Sequence, residues 1–427
     1  MRKPFIATLC IWILLFAMPV SANAYSVLTH QALIDAAWDS YLKPLLKRKF
    51  PQATEEQLKR AHAYAYGGAI APDMGYYPYG SEFFTHLTHY VRSGDFVMAL
   101  LKEAKTLNEY AFALGNLCHY HADMYGHRIG TNKCVPVIYP KVGAKHGKVV
   151  TYAEDHMAHM RTEFGFDVLQ TARGNYASKQ YHDFIGFQVD TAILNRAFYQ
   201  TYGLHIHQVF KNFPKALKMF RWSVAHFFPA ITRTAWATKK ADIKKLNPSA
   251  TARSFTYRMQ RRTQNKSVGK EDEKPALGTT LVSFLIRIAP KVGPLRPLKF
   301  RTPGPEAEKL FIQSFDTTLQ RYAVSLHLLE ANKLNLINGD YDTGEKTAMG
   351  EYVLADQTYG CLLMALQEQG LTSISMPLRQ HLLRFFSKPL PPTDNKRMTE
   401  RQVKINLALR ELQHMNESKV SYTGREE

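Results

Sequence analysis

The chain has 427 residues, and its 55 Lys and Arg against 36 Asp and Glu give a formal charge of +19. That length fits one large domain or two ordinary ones, and that charge favours anionic partners such as phosphates, nucleic acids or acidic lipid. After residue 24 no segment is long and apolar enough to span a membrane. The best, TTLVSFLIRIAP at 279–290, is interrupted by Arg287 and ends in Pro290.

The first 24 residues read as a secretory signal peptide. Arg2 and Lys3 form a basic head, Phe5 to Val20 an apolar run, and Ala22 and Ala24 the small residues of an A-x-A cleavage site. The run is short of the roughly 20 residues a membrane span needs. Cleavage before Tyr25 is therefore expected, with the mature protein periplasmic or secreted. Cys118, Cys134 and Cys361 remain after cleavage. An odd number argues against a disulfide framework, although one bridge is compatible with an oxidising compartment, and Cys118–Cys134 is the expected pair.

The rest reads as helical, so the fold class is all-α. Thr106 and Glu109 form a capping box that opens a helix with Tyr110, Ala111, Leu114 and Leu117 on its apolar positions, and Gly126 and Gly130 mark where it can end. Residues 239–270 differ. They hold ten Lys or Arg and a single acid, Asp242, among small and polar residues, which suits a loop-rich insertion or linker. Pro305 opens another helix, whose Leu310, Phe311, Phe315, Leu319, Tyr322, Leu326 and Leu329 form a core-facing stripe. Further helices are expected over 351–370 and 397–415. The acidic segment DYDTGEKTAMGE at 340–351 places Asp340, Asp342 and Glu351 at EF-hand positions. However, Gly344 and Glu345 stand where an oxygen ligand and a glycine belong, so it reads as an acidic loop before a helix.

The chemistry concentrates in LCHYHADMYGHRIG, residues 117–130. Four residues of α-helix turn about 400°, so His119, Asp123 and His127 fall within about 80° of one face, with His121 opposite. Two imidazoles and a carboxylate in register suit zinc. The spacing of four recurs at His159 and Glu163. Asp73 lies in GAIAPDMGYYPYG, His86 and His89 lie in FFTHLTHYVRSGDF, and His30 follows the expected new N-terminus by five residues. No G-x-S-x-G nucleophile elbow is present.

In this order Tyr25, His30, Asp73, His89, His119, Asp123, His127, His159 and Glu163 resemble the ligand set of the zinc-dependent phospholipases C. That family shares its all-helical fold with the single-strand-specific zinc nucleases. The resemblance spans residues 25–163. It implies three zinc ions, with the mature N-terminal residue binding through its amine and carbonyl. Asp123 would bridge two ions. One of these would be completed by Asp73, His89 and His119, the other by Tyr25 and His30. His127, His159 and Glu163 would hold the third. The implied chemistry is hydrolysis of a phosphodiester by a metal-activated water, with Asp73 and Asp123 as the catalytic residues. Tyr76, Tyr77 and Tyr79 would form a substrate lip, where aromatic faces attract a quaternary ammonium group or stack a base.

The chain departs from the family in having Tyr rather than Trp at the expected N-terminus, and in a long gap between His127 and His159. His86 competes with His89 for one ligand position, and His146 with His159 for another. Because the set ends in H-x-x-x-E, the phospholipid reading is preferred, with phospholipid or another phosphodiester as the substrate. Peripheral membrane contact is then expected and no obligate protein partner is inferred. The spacing of five from Tyr25 to His30 looks more like the nucleases, so single-strand nuclease remains an alternative, as does a non-catalytic exported zinc-binding protein. The expected organisation is a signal peptide at 1–24, a zinc-binding catalytic helical domain at 25–238, a basic insertion at 239–304 and a helical region at 305–427 that packs on the catalytic part.

Overall fold

A computed structural model describes residues 27–173, 175, 187–224, 299–388 and 396–415, with isolated positions between 236 and 251. The fold is all-α. Among the described residues the only β feature is an isolated antiparallel bridge between Gly339 and Lys346. Most of the basic stretch 239–270, and the expected signal peptide, lie outside the described residues. Helices of nine residues or more are numbered here. They are α1 (Val27–Ala37), α2 (Glu55–Ile70), α3 (Glu82–Tyr90), α4 (Ser93–Glu103), α5 (Leu107–Tyr125) and α6 (His156–Arg173). Next come α7 (Thr191–Tyr202), α8 (Phe213–Trp222), α9 (Pro305–Glu330), α10 (Val353–Glu368), α11 (Met376–Phe385) and α12 (Lys396–His414). None of them is long and apolar enough to cross a membrane.

Capping explains where several helices begin. Thr106 and Glu109 close the expected capping box at the start of α5, and Thr54 and Gln57 do the same for α2. Each pair satisfies two of the backbone N–H groups that the first turn leaves without intrahelical partners. The Ser81 hydroxyl accepts from Phe84 N and starts α3.

Helix α5 is the axis of the molecule. Every residue from Glu109 to Met124 is buried, as expected for a helix surrounded by others. On one side it crosses α2 at very short range. A Cβ added to Gly68 would stand 1.9 Å from the Phe112 carbonyl oxygen, and one on Gly115 would stand 2.0 Å from that of Ala65. On another side lies α9, where the Tyr322 hydroxyl donates to Leu114 O at 2.8 Å. Helix α1 packs on α2 and α5, and α10 packs on α3. One continuous core includes Leu114 and Leu117 of α5, Tyr322 of α9, and Tyr359 and Leu363 of α10.

The expected Cys118–Cys134 bridge does not form. Both thiols are free and buried. Cys118 faces the main core, whereas Cys134 faces a separate cluster with Phe166 and Phe311 and donates to Ala307 O. Burial pushes the Cys134 thiol up to about 12.

The α2–α5 crossing gives a direct test. Alanine favours a helix over glycine by about 1 kcal/mol, yet Gly68→Ala should destabilise the fold by about 1–3 kcal/mol because its methyl meets backbone that cannot yield cheaply. Urea unfolding monitored by circular dichroism reads this. A midpoint equal to or above that of the parent would show that the helices are not held so closely.

Candidate metal centre

The site is assembled from α1, the turn after α2, α3, α5, the turn after α5, and α6. Helix α2 runs into a 3-10 turn, Ala71–Tyr76, that carries Asp73. Thr85 of α3 pins this turn, since its hydroxyl accepts from Gly75 N at 3.0 Å and donates to Pro72 O at 2.6 Å. One turn further along α3, His89 points at Asp73, with Nε2 to Oδ1 at 3.2 Å. From α5, Asp123 approaches His119 Nε2 at 3.1 Å and His89 Nε2 at 3.4 Å. Asp73, His89, His119 and Asp123 thus form one buried group whose donor atoms lie within 4.8 Å of one another.

His30 of α1 joins this group. Its Nε2 is 3.5 Å from Asp123 and 3.9 Å from Asp73, and its ring stacks on His119 at 4.6 Å. Its position follows from the anchoring of α1, where Thr29 Oγ1 and Leu28 N both donate to the buried Asp167 carboxylate on α6.

Helix α5 does not continue straight. It passes at Gly126–Thr131 into a π-helical turn, a local widening often found at functional sites. His127 sits in this turn and belongs to a second buried group with His159 and Glu163. Its Nε2 is 3.2 Å from Glu163 Oε1, and His159 Nε2 is 2.9 Å from the same oxygen.

Hydrogen bonds on the far ring edges orient several imidazoles. His89 Nδ1 pairs with Thr85 O at 2.8 Å, His119 Nδ1 with Ala69 O at 2.9 Å, and His127 Nδ1 with Tyr341 O at 3.0 Å. With Nδ1 as donor to a carbonyl, the inward Nε2 carries the lone pair in the neutral ring, the arrangement of metal-binding histidines. The His89 and His119 Nε2 atoms, both Asp123 oxygens, Asp73 Oδ1 and Glu163 Oε1 are buried and have no hydrogen-bond partner among the described residues. A divalent cation fits this donor set in type, burial and direction.

The electrostatics show the same tension. Burial would raise the Asp123 carboxyl, but the imidazoles of His119 and His127 hold it well below the carboxylate range. Burial pushes Asp73 up, opposed by His119 and His89. Burial would lower His89, but contacts with Asp123 and Asp73 raise it to about 9. Burial and the neighbouring His119 push His30 well down. Metal binding at such a site competes with protons.

The competing candidates fall elsewhere. His86 is half-buried beside Tyr76 and Tyr90 and is lowered by burial to about 4. His146 ends a short helix, Pro140–His146, that has no buried residue, and neither histidine belongs to a metal-compatible group among the described residues. His121 faces α9, where its Nε2 is 2.8 Å from Ser325 Oγ. Tyr25 lies outside the described residues. Of the expected tyrosine lip, only Tyr79 is exposed, at 46%, with Lys215 over its ring. Tyr76 is buried near His89 and Tyr77 is buried against Phe220, so the three do not form an open aromatic rim.

The family model described as zinc dependent phospholipase C matches residues 29–212. Over that stretch the chain is similar to the zinc-dependent phospholipase C family. The stretch contains both buried groups, from His30 to Glu163. No curated protein and no solved structure matches the chain. Outside the phospholipase C stretch, sequence reasoning missed Tyr341 and Asp342. Tyr341 lays its ring against His89 and His119, and Asp342 lies 3.3 Å from His127 Nδ1. No spacing rule links them to the histidines, which precede them by more than two hundred residues.

Asp123→Asn should remove most bound zinc from the purified protein, because Asp123 faces His30, His89 and His119 together. His86→Ala should leave the metal content unchanged. Elemental analysis after gel filtration decides, and full zinc in Asp123→Asn would remove that residue from the centre.

Proposed function

We propose that the protein is a zinc-dependent phosphodiester hydrolase acting on phospholipids in the manner of a phospholipase C. The observation that carries this reading is the pair of buried imidazole–carboxylate groups, whose donor atoms converge within each group, inside the matched stretch. The ligand set is His30, Asp73, His89, His119, Asp123, His127, His159 and Glu163, with the backbone of Tyr25 after removal of residues 1–24. It would hold three zinc ions. Bound zinc would supply Lewis-acid polarisation of phosphate oxygens and acidification of water.

The chain's own groups do the rest. Asp73, buried with an oxygen 3.2 Å from His89 Nε2, accepts the proton of the water that attacks phosphorus in line. The carbonyl-anchored rings of His89, His119 and His127 hold their Nε2 atoms fixed, so that little reorganisation accompanies reaction. The P–O bond to glycerol breaks, giving diacylglycerol and a phosphomonoester headgroup. The strong positive charge of the chain favours peripheral contact with acidic lipid, and the leader sequence favours action outside the cytoplasm.

One preparation assayed on phosphatidylcholine vesicles and on single-stranded DNA separates the substrates. Headgroup phosphoester should be released from vesicles and abolished by chelator, with DNA left intact. Chelator-sensitive cleavage of DNA alone would assign the site to the nuclease branch. A chain extended by a non-cleavable tag before Tyr25 should bind zinc more weakly than the processed form. Equal binding in equilibrium dialysis would exclude the terminal amine as a ligand.

A further inference from the structure

The segment Gly339–Tyr352 lies beyond the matched stretch, yet it reaches His89 and His127. Tyr341 bridges the two ligand groups through its backbone. Its N–H donates to His89 O at 3.1 Å, and its carbonyl accepts from His127 Nδ1 at 3.0 Å. Asp342, itself buried, sets Oδ1 3.3 Å from the same His127 nitrogen. Its Oδ2 accepts from the Tyr90 hydroxyl at 2.9 Å and from the Tyr352 hydroxyl. Asn132 Nδ2, at the end of the π-helical turn, donates to Asp342 O at 2.6 Å.

These contacts have one direction in common. Asp342 approaches the Nδ1 edge of His127, whereas Glu163 approaches the Nε2 edge. Asp342 therefore stands behind the imidazole rather than beside the ligand atoms, and it is absent from the group of His127, His159 and Glu163 that can share one ion. Both of its oxygens are spoken for by groups around the site. Tyr90 follows His89 directly in α3, so the same carboxylate is tied to elements of both ligand groups.

We infer that Asp342 is a positioning residue for the metal centre, supplied by the C-terminal region. It fixes the ring of His127 from behind and makes that ring a stronger zinc ligand. The inference rests on the zinc-binding reading above. A carboxylate behind a ligating histidine fixes its tautomer and raises its basicity, and removing such a partner typically costs about 10–100-fold in metal affinity.

The test is zinc affinity by chelator competition on the full chain, with thermal unfolding of the zinc-free protein measured in parallel. Asp342→Asn should weaken one zinc about 10–100-fold while the number of zinc ions at saturation stays that of the parent. Zinc-free unfolding should move little. Tyr352→Phe, which removes a single hydroxyl from the same carboxylate, should weaken the same zinc to a smaller extent, and it decides the matter if Asp342→Asn does not fold. Parental affinity for every zinc would overturn the inference, even if the zinc-free protein unfolds earlier, because Asp342 would then only hold the loop. Loss of one zinc from the saturated count would also overturn it, since Asp342 would then be a ligand. A parent chain that binds no zinc would refute the proposed function itself, whatever the variants do.

Discussion

An ionised carboxylate moved from water into an apolar helix bundle loses several kcal/mol of hydration, even after relaxation, unless other groups replace that hydration. Asp123 sits on α5, where every residue from Glu109 to Met124 is buried, with no measurable exposure, and Asp73 and Glu163 are nearly as deep. The surrounding rings of His30, His89, His119, His127 and His159 are the chain's answer. Protons alone satisfy such a cluster poorly, since among the described residues His89 Nε2, His119 Nε2, both Asp123 oxygens and Glu163 Oε1 lack hydrogen bonds. Cations satisfy it well, because each ion accepts several lone pairs at once.

The rest of the fold can be read as the means of bringing these groups together. Ala69 O reaches His119 Nδ1 because α2 and α5 cross at glycines, where any side chain would separate them. Asp73 faces His89 because Thr85 fastens the 3-10 turn to α3. The π-helical turn directs His127 towards His159 and Glu163. Asp167 pins α1 and with it His30. The segment around Tyr341 and Asp342 closes the structure from the C-terminal side. Rigid placement of this kind is what hydrolysis at a metal centre requires, since the ligand geometry must exist before substrate arrives.

Much of this was legible in the sequence, for local reasons. The Thr106–Glu109 box, the Pro305 start and the three-and-four spacing of apolar residues are properties of short segments, and the helices appear where they imply, α10 and α12 within two residues of the expected ends. The spacing of four in His119–Asp123 and His159–Glu163 is likewise local, and both pairs converge in the structure. What failed depended on tertiary placement. A uniform 3.6-residue register gives no hint of the π-helical turn. Cys118 and Cys134, the expected pair, face different cores. Tyr76 and Tyr77 closely follow Asp73 in sequence and so suit a substrate lip, yet both are buried. DYDTGEK invited comparison with a calcium loop, and its Asp342 instead meets a histidine 215 positions earlier.

Native mass spectrometry of the untagged, exported protein tests the central claim most directly, because it reads the N-terminus and the bound metals in one spectrum. The account predicts a chain beginning at Tyr25 that carries three zinc ions. A chain carrying no zinc, or a single weakly held ion, would contradict it, and the buried histidines would then be an unusual polar core rather than a metal centre.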